Sequence, residues 1–77
     1  MSATESSRHP GTQHLMKMLT PNPNLPSTLR HISEVCHNLA VHLLDDCDDG
    51  PELTAGLRHL LEAKDCFVRQ VLVDNGV

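Results

Sequence analysis

Residues 27 to 75 of this 77-residue chain hold two amphipathic segments, each with more apolar positions than one partner helix covers. In the first, Leu29, Ile32, Cys36, Leu39 and Leu43 recur at spacings of three and four, the seam of a packed helix. Val35, Ala40, Leu44 and Cys47 widen that seam to one side. In the second, Leu53, Leu57, Leu60, Phe67 and Val71 form a similar line, flanked by Leu61, Val68 and Leu72. Two helices bury one stripe on each other and leave the flanks wet. The pattern therefore predicts an all-α fold, an antiparallel two-helix hairpin preceded by a short N-terminal helix, that assembles into a helical homo-oligomer.

Size points the same way. A chain this short buries only about 60% of its unfolded surface, so it leans on metals, disulfides or association. Phe67 is the single aromatic residue, which makes any core aliphatic. Cys36, Cys47 and Cys66 are odd in number and lack paired spacing, which argues against a secreted disulfide framework. No apolar run approaches the roughly 20 residues that cross a bilayer, and no apolar leader segment opens the chain. The expectation is a soluble cytoplasmic protein without a membrane partner. A net charge of −4 and the lack of a basic cluster disfavour DNA. Half of the ten acidic residues (Asp45, Asp46, Asp48, Asp49, Glu52) fall within eight positions, so the remainder of the chain is close to neutral.

Three stretches follow. Residues 1–11, rich in Ser, Thr, Gly and Pro, read as a mobile tail. Residues 12–26 read as a short helix and a Pro-rich connector: Thr12 is the expected N-cap, Leu15, Met16 and Leu19 share a face, and Pro21 blocks continuation. Thr20 to Pro26 is expected to be extended. Residues 27–75 form the hairpin domain for oligomerisation and ligand binding. Ser27 or Thr28 caps its first helix, which runs to about Cys47; the acidic cluster and Gly50 turn the chain. Pro51 suits the first position of the second helix and Glu52 complements its dipole. That helix runs to about Val73, with Asn75-Gly76 as a stop. Gly56 lies inside it at a cost of about 1 kcal/mol relative to Ala, as a close helix crossing or a neutral accident.

Candidate chemistry is sparse. Six histidines and three cysteines lack the paired spacing of zinc sites, and Glu34 of the Glu-x-x-His pair with His37 lies opposite the apolar seam. The acidic turn fails the calcium-loop pattern, because Gly50 already stands at position five counted from Asp46. It reads as a solvated tip. Cys66 has Lys64 and Asp65 beside it but no base at helical spacing. His59 and Glu62 pair along a helix surface at most. The reading is of a non-enzyme with no catalytic residue, metal or cofactor.

The open end of the hairpin is more informative. A turn near Asp49 brings Arg30 level with Val68 and Arg69, beside the helix start at Ser27 and Thr28, where free N–H groups favour anions. Thr28, Arg30 and Arg69 then converge, with Lys64 a turn further in and Lys17 able to close over them if the short helix folds back. Two guanidinium groups suit bidentate contact with phosphate. The plainer alternative pairs Arg30 and Arg69 with Glu34, Asp65 or Asp74. On the phosphate reading the acidic tip repels anions from the wrong end.

The run from Glu52 to Gln70, a Leu-rich helix with Ala63 and the ending Val68-Arg69-Gln70, resembles the second helix of the phage anti-CBASS sponges that sequester cyclic-nucleotide immune signals. A related hairpin occurs in an anti-Thoeris sponge. The resemblance covers roughly residues 12 to 73, with its specific part in about twenty. It implies a helical oligomer, hexameric in the best-known members, that holds cyclic di- or trinucleotides between protomers without cleaving them. Arg69 matches the family's arginine near the end of the second helix. Arg30, Ser33 and Cys36 stand near the positions from which the first helix reaches the pocket. Where some members stack an aromatic residue of the N-terminal helix on a base, this chain offers Met16, Met18 or His14.

Taken together, the sequence predicts sequestration of a cyclic oligonucleotide signal between protomers, in the host bacterial cytoplasm if the chain is phage-encoded. Arg69, Arg30, Thr28, Lys64 and Lys17 are the ligand-binding candidates. The rival is a small helical adaptor that binds another protein through its exposed apolar stripe.

Overall fold

A computed structural model describes residues 8–76. It contains three helices, α1 (Pro10–Leu19), α2 (Ser27–Asp46) and α3 (Pro51–Asp74), and no strand among the described residues. None of the helices is long and apolar enough to cross a membrane.

α1 starts earlier than the sequence reading placed it. Pro10 occupies its first position, where the missing N–H costs nothing. His9 takes the cap position and its Nδ1 accepts from the Gly11 amide at 2.9 Å. Thr12, expected as the cap, is instead a buried residue inside the helix. Arg8 to Gly11 thus belong to the folded part, while residues 1–7 of the expected tail lie outside the described residues. The end of α1 falls at Leu19 as Pro21 requires; Thr20 Oγ1 donates back to Met16 O at 2.9 Å.

The connector is not simply extended. Asn22 Oδ1 accepts from the Asn24 amide at 2.9 Å and Asn22 O from the Leu25 amide at 3.1 Å, a side-chain-closed turn typical of Asn. α2 then begins at Ser27 with Pro26 at the cap position, so neither Ser27 nor Thr28 caps it through a side chain. The turn into α3 is as short as the sequence implies: Gly50 is extended and Pro51 is first in the helix, with the Thr54 amide reaching Gly50 O at 3.2 Å.

The core forms where the three helices meet. α1 supplies Leu15, Met16 and Leu19, α2 supplies Ala40 and Leu44, and α3 supplies Leu57. Val41, Leu53, Leu60 and Leu61 pack against its edge. Burying a Leu this fully stabilises by about 1.5–3 kcal/mol, and α1, too short to persist alone, owes its stability to this docking.

That docking selects which stripe of α2 is buried. The inward row is Ser33, Cys36, Ala40 and Leu44, one step round from the expected Leu29–Leu43 seam. Leu39 and Leu43 stay 48% and 42% exposed, and Phe67 of α3 is 60% exposed. α2 carries two adjacent apolar stripes, and the small side chain of Ala40 lets α1 approach the one that contains it. The other stripe is left open.

Candidate functional site

The five cationic and hydroxyl candidates are placed individually. Arg30, in the first turns of α2, lies 3.9 Å from Glu34 through Nε and donates to Pro23 O at 3.3 Å. That is the plainer of its two expected roles. Arg69 donates to Cys66 Sγ at 3.4 Å, one helical turn back, and pairs with no carboxylate among the described residues. Lys64 donates to Met18 O at 3.2 Å and so satisfies one of the last carbonyls of α1. Lys17 is exposed in the last turn of α1, and Thr28 is exposed in the first turn of α2. α1 does fold back along α3, which is why Lys64 meets its end. No contact among the described residues joins the five into one cluster.

An open concave surface lies on the side of α2 and α3 away from α1. A groove of about 500 Å³ is walled by Ile32, Val35, Cys36 and Leu39 from α2 and by Leu60, Phe67 and Val71 from α3. His31 and Gln70 supply its polar rim, next in sequence to Arg30 and Arg69. Towards the turn, a second hollow of about 410 Å³ is lined by Leu43, Leu53, Gly56 and Leu57, with Asp48 and Glu52 at its mouth. Val35, Leu39 and Leu43, four residues apart, run along both. Burial pushes the Cys36 thiol above its ordinary pKa, only partly offset by Lys64, so this wall is a neutral apolar surface at physiological pH.

A third feature was hidden in the sequence. The Asp49 carboxylate sits at the start of α1: it accepts from the His9 amide at 2.6 Å, from Thr12 Oγ1 at 3.3 Å and from Arg8 Nη1 at 3.3 Å. Arg8 Nη2 also donates to Leu44 O, a carbonyl of the last turn of α2. The His9 amide above all, with Arg8 and Thr12 adding to it, holds the Asp49 carboxyl below the usual carboxylate range against the opposing cost of desolvation. The acidic tip is therefore not uniformly solvated, since one of its members latches α1 to the turn. The Pro rule finds the helix start, since the residue type that places the start of α3 at Pro51 equally places that of α1 at Pro10, but it does not point to Asp49.

Other chemistry is thin. No group of three or more His, Cys, Asp and Glu is arranged to hold a metal among the described residues. His59 Nδ1 and Glu62 Oε1 lie 3.3 Å apart on an exposed face of α3. Every buried side-chain N or O among the described residues has a partner. What remains unsatisfied is apolar. Compared with protein-family models, characterised proteins and solved structures, the chain shows no match.

Proposed function

We propose that this protein is a non-enzymatic sponge: an antiparallel helical hairpin that works as a homo-oligomer and sequesters a cyclic di- or trinucleotide signal between protomers. The observation that carries this reading is the open groove between α2 and α3, an apolar trough with polar groups confined to one end. Nucleobases have flat, weakly polar faces that suit walls of Val35, Leu39 and Phe67. Phosphates need cations at the edge, and Arg69, free of any carboxylate partner among the described residues, stands beside the rim. Arg30 joins it by exchanging Glu34 for phosphate, and Thr28 adds a hydroxyl. Lys64 contributes charge at a distance while it holds α1, and Lys17, exposed on α1, stands outside the groove lining and adds only to the general positive field. Charge-assisted hydrogen bonds contribute about 1.5–3 kcal/mol each, so three or four support submicromolar binding.

Calorimetry against a panel of cyclic di- and trinucleotides tests this. Saturable heat with at least one of them, lost in Arg69→Ala while helix content is kept, is the expected result. No heat with any member of the panel overturns the ligand.

A second reading is favoured by the same groove, whose walls are almost wholly apolar: a helical adaptor that binds another protein there. A stoichiometric protein partner with no nucleotide binding selects it over the sponge.

A further inference from the structure

We propose that the hollow at the turn end of α2 and α3 docks a cationic segment of another protein, with large apolar side chains inward and lysines or arginines around them. This goes beyond the function proposed above, and it uses none of the groove residues assigned there to the ligand, because the two hollows share no lining residue. Leu43 and Cys47, four apart at the end of α2, form one wall; Leu53 and Gly56, three apart on α3, form the other. Leu57, 2% exposed, lies deepest. Asp48 and Glu52 stand at the mouth.

Both walls break a local rule of helix stability, and nothing inside the protomer offsets either. Gly56 occupies a mid-helix position, where glycine is less stable than alanine or leucine. A Cβ built there meets nothing within 4 Å, so no close approach inside the chain requires it. What the missing side chain supplies is depth to the hollow. α2, for its part, ends on Asp45 and Asp46 with no basic residue in its last turn, which sets negative charge against the negative end of the helix dipole. Arg8 neutralises Asp49; Asp45, Asp46, Asp48 and Glu52 form no ion pair among the described residues. Local rules broken side by side, without internal compensation, mark a surface that is used.

The same observations select the occupant. The walls take uncharged side chains, while the mouth attracts cations and repels a nucleotide. A lone ammonium meets one side of that mouth. The unpaired carboxylates, however, lie on the last turn of α2, on the connecting turn and on the first turn of α3, which calls for several cations carried on one chain. A basic side chain seated by Asp46 also supplies the cation that the end of α2 lacks.

Selection of a displayed library of random peptides, about 12 residues long, against the full chain tests the docking. Enriched peptides combine large apolar residues with several lysines or arginines. A synthetic representative binds in the micromolar range by fluorescence anisotropy, more weakly as salt rises. Gly56→Leu fills the hollow, and Asp46→Asn with Asp48→Asn discharges its mouth. Each weakens that binding by about tenfold or more, while the urea midpoint holds or rises because both changes relieve the protomer. No enrichment, enrichment of neutral or acidic peptides, or a representative that binds either variant like the parent overturns the inference. So does a lowered urea midpoint for Gly56→Leu, which gives Gly56 a part in the fold instead. None of these readouts involves a cyclic nucleotide, so the docking and the ligand fail separately.

Discussion

Adjacent residues of α1 offer the sharpest energetic contrast in the molecule. Leu19 is fully buried between α2 and α3, while Met18 is 49% exposed. Leu19→Ala removes buried methyl groups and leaves a hole that a ten-residue helix is poorly able to close, a loss of about 2–5 kcal/mol. A chain of 77 residues has a total stability of about 4–12 kcal/mol at 0.05–0.15 kcal/mol per residue. The substitution therefore consumes a large share of the whole. Because α1 supplies half of the six-residue core and is too short to persist undocked, the loss appears first as melting of α1 and exposure of Leu57. Met18→Ala, which empties no buried space, stays within about 0.5 kcal/mol. Urea unfolding followed by far-ultraviolet circular dichroism, at one fixed protomer concentration since association adds to apparent stability, measures both. Hydrogen exchange then locates the lost protection in α1. Equal shifts for the two variants, or a Leu19→Ala cost below about 1 kcal/mol, refute the placement of α1 against this core.

Asp49→Ala frees the start of α1, seen as faster exchange of the amides from His9 to Gln13 with α3 unchanged. In the parent that protection depends on pH with a definite sign: the carboxyl is depressed in the folded state, so its contribution is complete above the unfolded value near 3.9 and fades as pH falls through the folded value. The Asp49→Ala variant lacks this fade, and identical pH profiles for the two proteins contradict the latch. Thiol titration of the native protein gives two fast groups, the exposed Cys47 and Cys66, while the buried Cys36 reacts only on unfolding. Three equally fast thiols contradict the burial of α2's inner row. Lys64→Met removes the donor to Met18 O and loosens the end of α1, with a cost near 1 kcal/mol in the same urea assay; a change above about 3 kcal/mol assigns Lys64 a larger structural part.

Much of the fold was legible because helix signals are local. The three-and-four spacing, Pro21, Gly50 and Pro51 fix three helices to within two or three residues of those observed. The inward face of α1, Leu15, Met16 and Leu19, was legible as well, but that of α2 was not. α2 has two neighbouring apolar stripes, and periodicity alone does not say which one α1 takes; the choice of Ala40 and Leu44 over Leu39 and Leu43 depends on the docking of a separate segment. The same limit hid the latch, since Arg8 and Asp49 are 41 residues apart and meet only once α1 is in place. Composition had assigned Arg8 to a polar tail and Asp49 to a solvated tip. Of the candidate site, local spacing located Arg30 near Glu34 but not the commitment of Lys64 to Met18 O, which again requires α1.

The central claim is that the apolar face α1 leaves bare is covered by other copies of the chain. Sedimentation velocity through a dilution series in the micromolar range tests it most directly. The account predicts a species heavier than one 8.5 kDa chain that dissociates on dilution and is weakened by Leu39→Glu. A folded 8.5 kDa monomer at every concentration, with Leu39→Glu indistinguishable from the parent, contradicts it.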